Sequence, residues 1–244
     1  MVKTLVIVEE VITLVNKCIE FKNNTDNQEL YFYGDIVSDE WSKWTDADTC
    51  PQDVQTILNQ IDENKPLNIY INSGGGSVFA GLAIYNMLKR SKCQKTVYVD
   101  GLAASIASVI AMAGDKIVMP LNAFLMIHKP WNVVAGNAND MKKMADDLDR
   151  IEEGILNVYA EKLANDVDIQ TIKQMVNDET WIVGSEANKY FNIEVIQSNK
   201  AVASISNLSC YNKVPDVFKG KVNNGEDDSK ELELLKAKLQ LELQ

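Results

Sequence analysis

The stretch Pro66–Gly101, "PLNIYINSGGGSVFAGLAIYNMLKRSKCQKTVYVDG", sets the fold class. "PLNIYIN" and "QKTVYVDG" read as strands, and between them Val78, Leu82, Ile84, Tyr85 and Leu88 recur at helical spacing along one broad face. Three glycines, Gly74 to Gly76, join the first strand to the helix. Strand, helix and strand in that order predict largely parallel strands in one sheet, buried on both faces.

The alternation continues in both directions. Upstream, residues 1–28 read as a peripheral segment closing in the polar run "KNNTDNQ"; "ELYFYGDIV" then reads as a buried strand, and Val54, Ile57, Leu58 and Ile61 mark an amphipathic helix. Downstream, Gly101 closes a strand, "AASIASVIAMAG" reads as a helix of small residues, and "DKIVMPLNAFLMIH" as one or two short strands. Residues 139–163 predict a long helix with a charged and an apolar face. After it come a helix, a short extended piece, another helix and a last strand, ending near residue 197. From Ser198 the apolar periodicity stops. Residues 198–228 read as a linker, and 229–244 as a helix with Leu232, Leu235, Leu239 and Leu243 at spacings of a short coiled coil or an accessory helix. The reading is one α/β domain over 29–197 with appendages.

A formal charge of −11 argues against a nucleic-acid partner, whose phosphates it would repel. Cys18, Cys50, Cys93 and Cys210 are scattered, form no C-x-x-C pair, and have one histidine in the chain to complete a metal site, so neither a metal nor another cofactor is expected. Glu9 and Glu10 interrupt the apolar N-terminal run too early for a signal segment or membrane span, which predicts a cytoplasmic, reduced protein.

The glycine turn follows a strand and opens a helix, a place where backbone N–H groups can meet an anion. It lacks the Lys-Ser/Thr of a P-loop and the G-x-G-x-x-G spacing of a dinucleotide site. Two readings stay open: a tight turn needing positive φ, or a Gly76 N–H aimed at a developing oxyanion. In "GLAASIAS", Ser105 falls at the first turn of the helix, where unpaired N–H groups and the helix dipole favour an attacking oxygen; Ser108 lies one turn on and lacks that position. His128, the only histidine, closes the apolar strand "AFLMIH", at the end where parallel sheets open their crevices. A serine nucleophile needs a base near neutral pH, and His128 is the one imidazole present.

Taken together, "NSGGGSVFAGLAIYNML", "GLAASIAS" and "MIHKP", in that order, resemble the proteolytic subunit of the Clp protease family, over about residues 30–197. The resemblance implies the spiral of ββα units shared with crotonase-like enoyl-CoA hydratases, here with a long handle helix. It implies a serine endopeptidase with Ser105 as nucleophile, His128 as base, and the Gly76 and Ile106 N–H groups as oxyanion hole. Glycine stands at Gly74 where the family has proline. The family's Asp aligns with Glu179, with its neighbour Asp178 as the fallback third member. Adjacent side chains in an extended segment face opposite ways, so one of the two can hold His128.

By the same resemblance, Gly75, Ser77 and Val78 on one side and Asn132, Val133 and Val134 on the other sandwich an extended peptide. The resemblance also implies that the subunits assemble into a homo-oligomeric ring. The unusual loop "SDEWSKWTDADTC" and the tail after Ser198 look like the branch encoded by tailed phages and prophages, which matures the prohead by cutting capsid or scaffold protein. A degradative enzyme with an ATPase partner, a crotonase-like enzyme of other chemistry, and an inactive ring component are the alternative readings.

Overall fold

The structure, a computed structural model, describes residues 20–197 and 213–215. The chain divides into two units, Met1–Asn207 and Leu208–Gln244, and every element described lies in the first. The expected terminal helix at 229–244 and nearly all of the expected linker fall outside the described residues.

In chain order the elements are β1 (Glu20–Asn23), β2 (Gln28–Phe32), a single 3-10 turn at Glu40–Ser42, α1 (Pro51–Leu58), β3 (Leu67–Ser73), α2 (Val78–Arg90), β4 (Lys95–Ala104) and α3 (Ile106–Ala111). Then follow β5 (Lys116–Pro120), β6 (Phe124–Ile127), α4 (Ala138–Ala160), α5 (Ile169–Asn177), β7 (Thr180–Val183), α6 (Gly184–Ala187) and β8 (Glu194–Ile196). The α/β class is therefore what the protein has. The main sheet runs β1-β2-β3-β4-β5-β8; every neighbouring pair from β2 onward is parallel, while β1 joins antiparallel.

Several boundaries differ from expectation. β2 stops at Phe32, and of the rest of "ELYFYGDIV" Ile36 pairs as an isolated bridge to both Thr49 and Gly76. The long helix ends at Ala160 rather than residue 163. Gly101 does not end its strand: β4 runs through Ala104, and the small-residue helix shortens to Ile106–Ala111. The reason is pairing. Thr96 to Tyr98 lie beside β5, but Leu102 to Ala104 change neighbour and lie parallel to Phe124–Met126 of β6, so the alanines are held as strand by a second partner. Helix propensity, worth a few tenths of a kcal/mol per alanine, yields to a ladder with both faces buried.

α2 shows what fixes the helices. Alone, a helix of this length is marginal, and Gly81 weakens it by about 1 kcal/mol. Burial of Ile84, Tyr85 and Leu88, at roughly 1.5–3 kcal/mol for each large side chain, outweighs that. Gly81 is needed for approach: a Cβ there would lie 2.1 Å from Ile106 Cγ1, so the glycine lets α2 pack directly on the start of α3.

Candidate active site

The second half of β4 carries Ser105 to its place. The β4–β6 ladder closes at Ala104 and Met126, and one residue further the Ser105 N–H donates to the Met126 carbonyl at 2.9 Å. His128 follows the last residue of β6, so parallel pairing delivers both side chains to the same strand ends, and Ser105 Oγ lies 2.7 Å from His128 Nε2. Ser105 is the cap residue of α3 rather than a residue of its first turn, and its backbone sits at φ 54°, ψ −127°. For a residue with a Cβ, that conformation costs on the order of 1–3 kcal/mol and persists where the surroundings dictate it.

The same register logic separates the two acidic candidates. The antiparallel β6–β7 ladder ends where Ile127 pairs with Thr180, so His128 is the residue just after that rung on one strand and Glu179 the residue just before it on the other, with Asp178 one residue further from it. Asp178 caps α5, where its carboxylate accepts from Gln174 Nε2 at 2.9 Å. Glu179 stands at φ 51°, in the left-handed position just past a helix end that usually falls to glycine. Burial holds the His128 pKa below the ordinary histidine value, and the negative charge of Glu179 partly counters it. At neutral pH the imidazole is therefore uncharged and able to accept a proton.

Gly75 and Gly76 have φ of 97° and 139°. Gly75 is pressed against the serine, and a Cβ on it would lie 2.8 Å from Ser105 Cβ and 3.2 Å from the Ile106 nitrogen. Beside it, the Ile36 N–H donates to the Gly75 carbonyl and the Ser77 N–H to the Ile36 carbonyl, each at 2.7 Å. In such a parallel bridge the groups of Gly76 itself point to the opposite edge. The turn thus has the positive φ expected of it, and Gly76 is exposed.

The flanking residues are less strand-like than a peptide sandwich suggests. Ser77 is extended, but Val78 is already the first residue of α2. Asn132, Val133 and Val134 lie in an irregular segment, with Asn132 and Val133 exposed and the Val133 N–H donating to Asn132 Oδ1 at 2.8 Å.

In the loop and helix after β2, Glu40, Cys50 and Asp53 bring three potential metal-ligand atoms within 4.8 Å of one another. That position already has a cation: the Lys43 ammonium lies 3.3 Å from Glu40 and 2.8 Å from Asp53. Burial also pushes the Cys50 thiol pKa up, against the thiolate a metal needs.

The family model described as Clp protease matches residues 24–200. The chain belongs to the Clp protease family. It is 29% identical over 147 residues to the ATP-dependent Clp protease proteolytic subunit of Porphyromonas gingivalis, an alignment covering 59% of this chain and 65% of that one. Its likeness to the subunit of Bdellovibrio bacteriovorus is 32% over 155 residues, covering 60% of this chain and 72% of the relative. With the proteolytic subunit 1 of Corynebacterium jeikeium it is 32% over 180 residues, covering 71% and 89%. The family match takes in every strand but β1, which starts at Glu20, and every helix described.

Two further residues, to which the sequence pattern assigns no role, touch the site. Ser108, one turn along from Ser105, bonds the Ser105 carbonyl through its hydroxyl, and Tyr159 of α4, 51 positions away, bonds Ser108. The spacing of Ser108 three residues after Ser105 is a signal for the first contact; the second depends on how α4 packs.

Proposed function

We propose that the chain is a serine endopeptidase that cuts protein substrates as a homo-oligomeric, ring-forming assembly in the cytoplasm, with Ser105, His128 and Glu179 as its catalytic residues. The observation that carries this is the 2.7 Å contact between Ser105 Oγ and His128 Nε2 at adjoining strand ends. Neutral His128 takes the hydroxyl proton as Ser105 attacks the scissile carbonyl carbon, and the tetrahedral oxyanion is received by the Gly76 and Ile106 N–H groups. His128 then protonates the leaving amine, and water, activated by the same imidazole, hydrolyses the acyl-enzyme. Glu179 holds the other ring nitrogen and steadies the imidazolium. Gly75, Ser77 and Val78, with Asn132, Val133 and Val134, are the edges that receive the peptide, and α4, largely exposed in its first half, is with the segment before it the handle through which rings pair.

For the biological role, the loop "SDEWSKWTDADTC", with Trp41 and Trp44 almost wholly exposed, and the chain beyond residue 198 support a phage or prophage enzyme that processes capsid or scaffold protein during head maturation. The relatives, ATP-dependent proteolytic subunits, favour a second reading, degradation of unfolded protein with an ATPase partner. Among the described residues no helix is long and apolar enough to cross a membrane.

The test is cleavage of casein and of a capsid–scaffold mixture by the full chain. Loss of both cleavages in Ser105→Ala, with assembly retained, is the expected outcome; undiminished cleavage by that variant sinks the assignment. Cleavage of casein with the capsid mixture left intact would favour the degradative role.

A further inference from the structure

A chain of hydroxyls runs from α4 to the nucleophile. Ser108 is fully buried, and its hydroxyl donates to the Ser105 carbonyl at 2.5 Å. A serine hydroxyl has one proton, so with that proton committed the 2.7 Å contact between Ser108 Oγ and the Tyr159 hydroxyl has tyrosine as donor. Tyr159 is itself buried, its ring against Phe191. The Ser105 carbonyl also accepts the Ser108 N–H at 3.0 Å.

That carbonyl belongs to the peptide unit whose N–H is on Ile106. In a trans unit the two groups point opposite ways, so fixing the oxygen toward Ser108 aims the N–H away from it, and the Ile106 nitrogen lies on the Gly75 side, 3.2 Å from where a Cβ on that glycine would stand. Two hydrogen bonds on the oxygen also polarise the unit and strengthen its N–H as a donor. The plane needs such an anchor, because Ser105 at φ 54°, ψ −127° is outside the wells that would hold it unaided.

We propose that Tyr159 and Ser108 are positioning residues that set and polarise the Ser105–Ile106 peptide as an oxyanion donor. The proposal rests on the peptidase reading and adds to it two residues that touch neither substrate nor imidazole. Because an oxyanion exists only in the transition state, disturbing its donor lowers kcat and leaves KM nearly alone. Removing a whole donor costs on the order of 100-fold or more, so mis-aiming one costs about 10-fold.

The experiment measures kcat, KM and the pH profile of full-length wild type, Tyr159→Phe, Ser108→Ala and the double variant on a peptidyl aminocoumarin, with fluorophosphonate labelling of Ser105 in each. Expected are an about 10-fold fall in kcat for each single variant, KM within about twofold, and an unmoved acid limb, since His128 is untouched. The double variant should be no slower than Ser108→Ala, because both act through one chain. Thermal unfolding monitors the cost of burying the altered groups separately. If wild type labels at Ser105 while both single variants keep wild-type kcat, or if their losses multiply, the inference is overturned and the peptidase reading stands. A wild type that neither labels nor cleaves overturns both.

Discussion

Gly75 and Ser105 are in contact that leaves no space for a side chain: a Cβ on the glycine would fall 2.8 Å from the serine Cβ and 2.7 Å from the Ala104 carbonyl oxygen. Gly75 also sits at φ 97°. Gly75→Ala therefore combines strain with a clash against backbone, and should cost about 1–3 kcal/mol of stability and nearly all peptidase activity. Denaturant titration and a peptide assay read the two effects. A folded, fully active Gly75→Ala would mean that the glycine turn is not fitted to the nucleophile.

Glu179 occupies a left-handed position that glycine would fill with less strain. Glu179→Gly should therefore raise stability by about 0.5–1 kcal/mol while lowering kcat steeply, a trade in opposite directions at one residue. Asp178→Asn, which alters a helix-cap carboxylate, should leave kcat within about twofold.

The pH dependence follows from His128. Its folded pKa lies below the ordinary value because burial disfavours the imidazolium, with the Glu179 charge pulling the other way. The acid limb of kcat/KM should therefore fall below the ordinary histidine range. Glu179→Gln removes the opposing charge, so burial acts alone and the limb should move to still lower pH, alongside a loss of kcat. A shift upward would show that Glu179 does not act on the imidazole.

Asp48 ties the loop after β2 to the glycine turn. Its carboxylate accepts from the Trp44 N–H at 2.8 Å, the Thr45 N–H at 2.9 Å and the Asp35 N–H at 3.2 Å, next to Ile36, which bridges to Gly76. Burial opposes its ionisation, but these bonds outweigh burial and the pKa is lowered. Its contribution is thus complete above the ordinary carboxylate value and is lost as pH falls through the lowered folded value. Asp48→Asn should remove about 1–3 kcal/mol at neutral pH and flatten that part of the stability-against-pH curve.

Lys129 lies 2.9 Å from Glu152, whose side chain is 5% exposed and whose second oxygen is buried without a hydrogen bond. Lys129→Met would strand that carboxylate; since the lysine is 44% exposed and water can partly replace it, the expected cost is about 1–3 kcal/mol. Adding Glu152→Gln to Lys129→Met should recover part of the loss, as followed by thermal unfolding.

The alternation of strands with α1, α2 and α4 was legible because each buries one face, leaving a period in the sequence. The end of β4 was not: Ala103 and Ala104 suit a helix equally well, and what decides them is β6, some twenty residues away. His128 stands out in the sequence as a lone histidine closing an apolar strand and Ser105 as a serine opening a helix within one ordered set of motifs; that β4 runs on to Ala104 and brings the two within 2.7 Å depends on its pairing with β6. For Glu179 the resemblance supplies an alignment; the structure adds that it stands beside the last β6–β7 rung and that its charge acts on His128, neither of which a local pattern contains. Tyr159 was invisible for the same reason, as a tyrosine in an amphipathic helix looks like any core residue until its hydroxyl finds Ser108.

The most direct measurement is fluorophosphonate labelling of the full chain, with the modified residue located by mass spectrometry in wild type and in His128→Ala. The expected result is one adduct, on Ser105, formed much more slowly when His128 is gone. Labelling at another serine, or labelling of Ser105 at the same rate without His128, would contradict it.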